Sequence, residues 1–181
     1  MNSVIISKIN TFIKNRLIEF MGIVLILIGA FLLLSIASYS PSDPNFIYTP
    51  ESTEIKNIGG FYGSVSSDFL LQSCGLISIL FVFNFFSWGL KIFSYKKVNN
   101  IILKIFFVLL YILFGTTVLN ITFNHSFWLI DNGNGGFVGR SIKENIYYIT
   151  AFIENQYTIY ILSLLTVIFF ILSLDIKFNE I

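Results

Sequence analysis

Long apolar windows without charged side chains alternate with polar segments along the chain. Four such windows lie between Glu19 and Asp43, Asp68 and Lys91, Lys104 and His125, and Glu154 and Asp175. A membrane-spanning helix needs about 20 apolar residues, because a rise of about 1.5 Å per residue must cross a hydrocarbon core about 30 Å thick. The pattern predicts an all-α, polytopic membrane protein with four transmembrane helices arranged as two hairpins. We place the spans at about 20–38, 69–90, 105–124 and 156–174.

The composition supports a membrane protein. Of the 181 residues, 55% are hydrophobic and 12% are charged, and the mean hydropathy is +0.81. Soluble domains carry about 25% charged residues. A net charge of +1 provides no overall attraction to nucleic acid. Membrane lipid is therefore the expected surrounding, and no direct contact with nucleic acid is expected.

Basic residues predict the orientation of the chain. Most of them lie before the first span, between the second and third, and after the fourth: Lys8, Lys14, Arg16, Lys91, Lys96, Lys97, Lys104 and Lys177. Because Lys and Arg are enriched in cytoplasmic loops, both termini are predicted to be cytoplasmic. The expected organisation is a cytoplasmic amino-terminal segment (1–19), a membrane domain (20–175) and the start of a cytoplasmic linker (176–181). The outer loops are placed at 39–68 and 125–155.

A short glycine-rich pattern occurs once in each outer loop. Residues 59–63 and 135–139 both read Gly-Gly-Phe-x-Gly, which is consistent with two related hairpins. Glycines four residues apart on a helix can form a groove in which another helix lies close. Glycine is equally typical of tight turns, so the pattern leaves both interpretations open.

The second glycine-rich pattern is followed by a predicted amphipathic helix on the outer side. Ser141 and Glu144 have the spacing of a capping box, which is typical of a helix start. The isoleucines that follow recur with helical periodicity, at Ile142, Ile146, Ile149 and Ile153. The helix is expected to lie along the membrane surface or against the other loop.

Motifs for catalysis or cofactor binding are absent from the sequence. There is no GxxxxGK[ST] phosphate loop, no CxxC and no HExxH. The spans also lack ionisable side chains well inside them, whereas transporters and pumps usually place such groups there. Their polar side chains, Gln72, Asn84 and Asn120, are expected to join helices by hydrogen bonding. We therefore expect no enzyme activity, cofactor or metal in this chain.

The polar segments carry motifs that resemble those of a known family. The first span ends in a serine-tyrosine-x-proline-x-aspartate-proline pattern, with Ser38, Tyr39, Pro41, Asp43 and Pro44. An asparagine-x-glycine-glycine-x-x-glycine pattern and an aspartate precede the second span, at Asn57, Gly59, Gly60, Gly63 and Asp68. The fourth span is preceded by Gly135, Gly136 and Gly139. In this order, the motifs resemble the amino-terminal four-span membrane domain of the FtsK/SpoIIIE DNA translocase family.

The resemblance implies a role in cell division. A domain of this kind would anchor the protein in the bacterial inner membrane at the division septum and help to link division with chromosome segregation. It implies other division proteins as partners and a homo-oligomer as large as a hexamer. The family's motor uses ATP and lies far downstream, so these residues are expected to lack it. The motif residues would then be structural or contact residues.

Two other function classes remain open. A small four-span transporter or channel subunit would need a polar path through the spans. A membrane enzyme acting on lipid or cell-wall precursors could use Asp43 and Asp68 from the outer side, since paired carboxylates can bind a metal.

Overall fold

A computed structural model describes residues 2–48, 54–123, 125, 129, 132–149 and 154–176. These residues form six α-helices joined by loops, with no strand among them. The helices are α1 (Asn2–Ala37), α2 (Gly60–Cys74), α3 (Ser78–Tyr95), α4 (Ile101–Thr122), α5 (Gly136–Ile149) and α6 (Gln156–Ser173). The all-α prediction is confirmed.

Four helical runs are long and apolar enough to cross a membrane. They are Ile6–Ala37, Gly60–Tyr95, Ile101–Thr122 and Gln156–Ser173. The predicted four-span, multi-pass membrane protein is therefore confirmed. We call the end of the bundle that carries the start of α1 and the end of α6 the terminal end, and the opposite end the loop end.

The helices form two units with the same order of elements. In the first unit, α1 packs against α3 and carries α2 at its carboxyl end; in the second, α4 packs against α6 and α5. Small residues allow the close approach of the long helices. A Cβ at Gly22 of α1 would lie 2.7 Å from the backbone nitrogen of Phe93, and one at Gly115 of α4 would lie 2.9 Å from Thr166. The two predicted hairpins are thus present, and each includes a helix that begins at the second glycine of its glycine-rich pattern.

Helix α1 is longer than the span predicted within it. Its 36 residues correspond to about 54 Å, against a hydrocarbon core of about 30 Å. The predicted amino-terminal segment, 1–19, is helical from Asn2 and continues into the span without a break. No Gly or Pro occurs before Gly22, so nothing in this part of the sequence interrupts the helix.

The second helical run begins earlier than predicted and is interrupted. Helix starts at Gly60, so it occupies the last part of the predicted outer loop 39–68. A 3₁₀ segment, Gly75–Ile77, separates α2 from α3. Gly75 adopts φ 57° and ψ −145°, a conformation that is essentially restricted to glycine. The Ser78 hydroxyl lies within hydrogen-bonding distance of the Leu70 (2.7 Å) and Gly75 (2.6 Å) carbonyls and so links α2 to the 3₁₀ segment.

The amphipathic helix α5 is present as far as Ile149, and Ile153 of the predicted stripe lies outside the described residues. Its predicted capping box is wrong. The helix begins at Gly136, so Ser141 lies inside it. The Glu144 carboxylate pairs with Arg140 Nε at 2.9 Å instead of capping the helix start. Gly136, with φ 66°, follows a turn closed by its own amide and the Gly133 carbonyl. This turn starts the helix five residues before the serine and leaves no free amides at Ser141 for a cap.

Polar side chains join three helices near the terminal end. Tyr111 of α4 donates to Asn84 Oδ1 of α3 at 2.8 Å, and Asn84 Nδ2 donates to the Ser173 hydroxyl of α6 at 2.7 Å. Trp88 Nε1 donates to the Ser173 carbonyl at 2.8 Å. The Lys104 ammonium then pairs with Asp175 at 3.3 Å, just past the end of α6. Asn84 therefore joins helices, as predicted.

The Tyr111→Phe substitution tests this network. We expect it to destabilise the bundle by about 1 kcal/mol, because it leaves the buried Asn84 oxygen without its donor. That corresponds to a fall of about 2–4 °C in the melting temperature of the detergent-solubilised chain. Tyr157→Phe is the matched control, since Tyr157 is 77% exposed. Equal shifts for both variants would contradict a stabilising role for the network.

Candidate functional site: a buried polar cluster at the loop end

The two motifs of the first loop fold together into one cluster at the carboxyl end of α1. We call this the motif cluster; it consists of Ser35, Ser38, Tyr39, Asp43, Pro44, Asn45, Asn57, Gly59, Gly63, Ser64, Ser67 and Asp68. Its members come from α1, from the chain that follows it, and from α2. The cluster therefore determines how the first loop is held against the two helices.

Asp43 closes the first loop. Its two carboxylate oxygens accept the backbone amides of Lys56 (3.0 Å) and Asn57 (2.8 Å). Asp43 is only 3% exposed, although no Lys or Arg ion pair to it appears among the described residues. A buried carboxylate needs such hydrogen bonds, since burying a charge without partners is costly. The loop between Asp43 and Lys56 is thus closed by one side chain.

Asn57 joins the end of α1 to the start of α2. Its Nδ2 donates to the Ser35 carbonyl at 2.8 Å and to the Ser67 hydroxyl at 3.3 Å, and its Oδ1 accepts the Gly59 amide at 2.9 Å. The last carbonyls of a helix and the first amides of the next have no partner within their own helices. One buried side chain therefore satisfies groups at both helix ends. The Ser38 hydroxyl adds a further link by accepting the Ile58 amide at 3.0 Å.

Gly59 and Gly63 allow α1 to approach this junction. A Cβ would lie 2.8 Å from the Ser35 hydroxyl at Gly59 and 2.9 Å from it at Gly63. Neither position has room for a side chain. The groove interpretation therefore applies to these two glycines, with α1 as the helix that lies in the groove. Gly60 differs, because no atom lies within 4 Å of its Cβ position and its φ is +61°, so it serves the turn.

The second glycine-rich pattern packs in an equivalent way and also contacts the first unit. A Cβ at Gly135 would lie 2.7 Å from Asn120 Cβ of α4, and Gly139 lies against Thr116 of the same helix. Gly136 lies against Ser73 and Gly75, beside the break in the second helical run. The Leu76 amide completes this junction by donating to the Asn134 carbonyl at 2.9 Å. The two units are therefore joined at the break between α2 and α3.

Asp68 holds the chain that leaves α1. The Tyr39 hydroxyl donates to it at 3.1 Å, and Asn45 Nδ2 donates at 2.9 Å. The Ser64 hydroxyl donates to the Pro44 carbonyl at 2.7 Å. Asn45 was not singled out from the sequence, although asparagine after proline is a typical turn residue. Its Oδ1 accepts the Ile47 amide at 2.8 Å, as such turns require.

An open groove of about 700 Å³ lies beside the cluster. Pro41 lines this groove together with Tyr39, Asn45, Asp68, Gln72, Asn132 and Phe137. Asn132 Nδ2 donates to Gln72 Oε1 at 2.9 Å. Gln72 therefore joins the two units, but through the loop before α5 and not through a second helix as predicted.

The carboxylates of the cluster accept hydrogen bonds from the chain itself. Asp43 and Asp68, the pair that a membrane enzyme would use, are both occupied by donors from the chain itself. Within the described residues, no three His, Cys, Asp or Glu side chains are grouped so that they could hold a metal ion. The arrangement can fix a loop surface and the angle between α1 and α2.

Comparison with known proteins shows which family has this sequence pattern. Residues 14–181 match the model of the 4TM region of DNA translocase FtsK/SpoIIIE. The chain belongs to this family. The matched residues include the whole motif cluster and both glycine-rich patterns, so the chain is the membrane domain of an FtsK-type protein.

Several curated relatives support this conclusion. The DNA translocase FtsK of Rickettsia prowazekii (strain Madrid E) is 29% identical over 174 residues, which cover 96% of this chain and 22% of that protein. That of Rickettsia bellii (strain RML369-C) is 27% identical over 172 residues, covering 95% and 21%. The chain thus spans about a fifth of the length of these FtsK relatives. No solved structure matches it.

Proposed function

We propose that this FtsK-type membrane domain is the anchor and assembly domain of a DNA translocase, acting at the division septum to link cell division with chromosome segregation. The relatives' name, DNA translocase FtsK, supports this proposal, as does the match over nearly the whole chain. Binding and hydrolysis of ATP would belong to the relatives' remaining length. Both termini would face the cytoplasm, as the distribution of Lys and Arg predicts.

The observation that carries the assembly role is the burial of the motif residues. Asp43 and Asn57 are only 3% and 4% exposed. They therefore hold the first loop in place and leave the contacts with partners to the exposed residues around them. The surface beside them is rich in exposed aromatic and aliphatic side chains, including Phe46, Ile47 and Tyr62. Aromatic side chains are enriched in protein–protein interfaces. We assign this loop-end surface to contacts with other division proteins, and we expect the assembled protein to be a homo-oligomer as large as a hexamer.

Localisation in dividing bacterial cells tests the proposal. The full chain, tagged with a fluorescent protein at its carboxyl end, is expected to form a band at midcell. The double variant Phe46→Ser, Tyr62→Ser removes exposed apolar area without touching the cluster's hydrogen bonds. We expect it to remain in the membrane at the same level but to lose the band. Leu164→Ser, at an exposed position of α6, is the matched control and is expected to keep the band.

Uniform membrane fluorescence of the intact, unsubstituted chain would contradict septal recruitment by these residues. A band that persists in the double variant would contradict the assignment to the loop-end surface.

A further inference from the structure

Helix α1 extends well past the other helices at the terminal end. Glu19 pairs with Lys96 at 2.6 Å, and Lys96 caps the end of α3 in a left-handed conformation. The end of α3 is therefore level with Glu19. The part of α1 that precedes this level, from Asn2, is about 25 Å long. Every residue from Ile6 to Leu17 is exposed.

An apolar stripe with heptad spacing runs along this helix. Every seventh residue is a large apolar one, at Ile6, Ile13, Phe20, Leu27 and Leu34, and these side chains are between 50% and 63% exposed. The face that packs against α3 has the same spacing, with Gly22 and Gly29 in contact with that helix. The two sets are offset by two positions, or about 200°. The stripe therefore faces directly away from the rest of the fold.

Lipid can cover only part of the stripe. With Phe20 at the boundary of the hydrocarbon core, Ile6 lies about 21 Å beyond it along the straight helix. The headgroup region on each side is only about 5–8 Å thick. Ile6 and Ile9 would therefore project into water, which is less favourable for such apolar side chains than burial against a partner.

We propose that a second copy of this chain covers the stripe, with the α1 helices of neighbouring copies packed in parallel. Every copy is inserted with the same orientation, so the heptads meet in register. Helices that pack in this way carry two apolar positions in each heptad, and the second position is occupied by Ile9 and Ile23, three residues after Ile6 and Phe20. The inference rests on the proposed assembly role and names the surface that would carry it. This surface lies at the opposite end of the molecule from the aromatic surface assigned to division partners.

The charges of α1 are compatible with this pairing. Lys8 and Lys14 lie about 120° from the centre of the stripe, and so outside the contact. Arg16 lies within the stripe, but it is bonded to Glu19 at 2.6 Å and stacks over the Phe12 ring at 5.1 Å. Glu19 also pairs with Lys96 at 2.6 Å, so it offsets the Arg16 charge only in part. A polar residue at such a position typically determines the register of paired helices.

Cysteine cross-linking of the full chain in isolated membranes tests the proposal. In a Cys74→Ser background, single cysteines replace Ile6 or Ile13 on the stripe, and Lys8 or Asn15 on the opposite face as matched controls. A short bis-maleimide is expected to give about tenfold more dimer at the stripe positions than at the controls, since only the former would lie at the seam. Equal yields on both faces, or no dimer at any position, would overturn the proposal.

Two further measurements distinguish a second copy of the chain from the other surfaces that could cover the stripe, namely the membrane or a different protein. The double variant Ile9→Gln, Leu17→Gln is expected to reduce the cross-link at Ile13→Cys about a hundredfold, because each of the two lost apolar contacts is worth about a factor of ten. If helix α1 instead bends onto the membrane, Ile13→Cys will give no dimer and will be protected from a membrane-impermeant maleimide. Cross-links that form only to a different protein would overturn the proposal too. Localisation to the septum is measured in a separate experiment. If the chain does not localise there, the cross-linking result at α1 is unaffected.

Discussion

Replacing Gly75 with alanine is expected to destabilise the protein by about 3 kcal/mol or more. Gly75 has φ 57° and ψ −145°, and a Cβ there would overlap the carbonyl of Asn134. The overlap is with backbone, which cannot move aside without opening the junction between the two units. We expect a fall of about 6–12 °C in the melting temperature of the detergent-solubilised chain.

Gly60→Ala separates the two causes of this effect. Gly60 also has a positive φ, +61°, but no atom lies within 4 Å of its Cβ position. It should therefore show the conformational cost alone, about 1–2 kcal/mol. If Gly75→Ala and Gly60→Ala have equal effects, the contact between Gly75 and the second glycine-rich pattern does not hold the two units together.

Replacing Asp43 with alanine is expected to destabilise the loop end by about 3 kcal/mol. The carboxylate is the acceptor for two backbone amides, those of Lys56 and Asn57. Each buried donor left without a partner costs about 1–3 kcal/mol. Hydrogen exchange at these two amides, measured by mass spectrometry of the peptide that contains them, should accelerate by about two orders of magnitude.

Asp43→Asn and Ser42→Ala serve as graded controls for that result. Asparagine keeps one acceptor oxygen, so Asp43→Asn should lie between the wild type and Asp43→Ala. The exposed Ser42 hydroxyl bonds to Ser40 and accepts from the Lys56 ammonium at 3.2 Å; loss of these exposed bonds should cost little and leaves the Lys56 amide bonded to Asp43. Unchanged exchange at Lys56 and Asn57 in Asp43→Ala would show that the carboxylate does not close the loop. The same variant is expected to weaken the midcell band, because the loop-end surface would no longer be held in place.

The spans and their pairing were predictable because the membrane imposes them. A segment that crosses lipid must be apolar, about 20 residues long and free of charge, and it must satisfy its own backbone. Each of the four charge-free windows therefore corresponds to a helical run. The role of Asn84 was predictable for a related reason, since a polar side chain within a span needs a partner on another helix.

The capping box shows where local patterns fail. Ser141 and Glu144 have the correct spacing, yet α5 begins at Gly136. The helix start is determined by a distant contact, because Gly136 packs against Ser73 and Gly75 of the first unit. A pattern of four residues carries no information about that contact.

The sequence by itself determined the number of spans, the two glycine-rich patterns and the residues of the loop motifs, because hydropathy and local conformational preference act over short distances. Only the tertiary structure decided what those motifs do. Asp43 and Asn57 are 14 residues apart, and Ser35 lies 22 residues before Asn57, so their bonds exist only once α1 and α2 have packed. The same holds for Gly75, whose need for glycine arises from a carbonyl of the second unit. Contacts between distant parts of the chain are a property of the packed bundle, and no short stretch of sequence contains them.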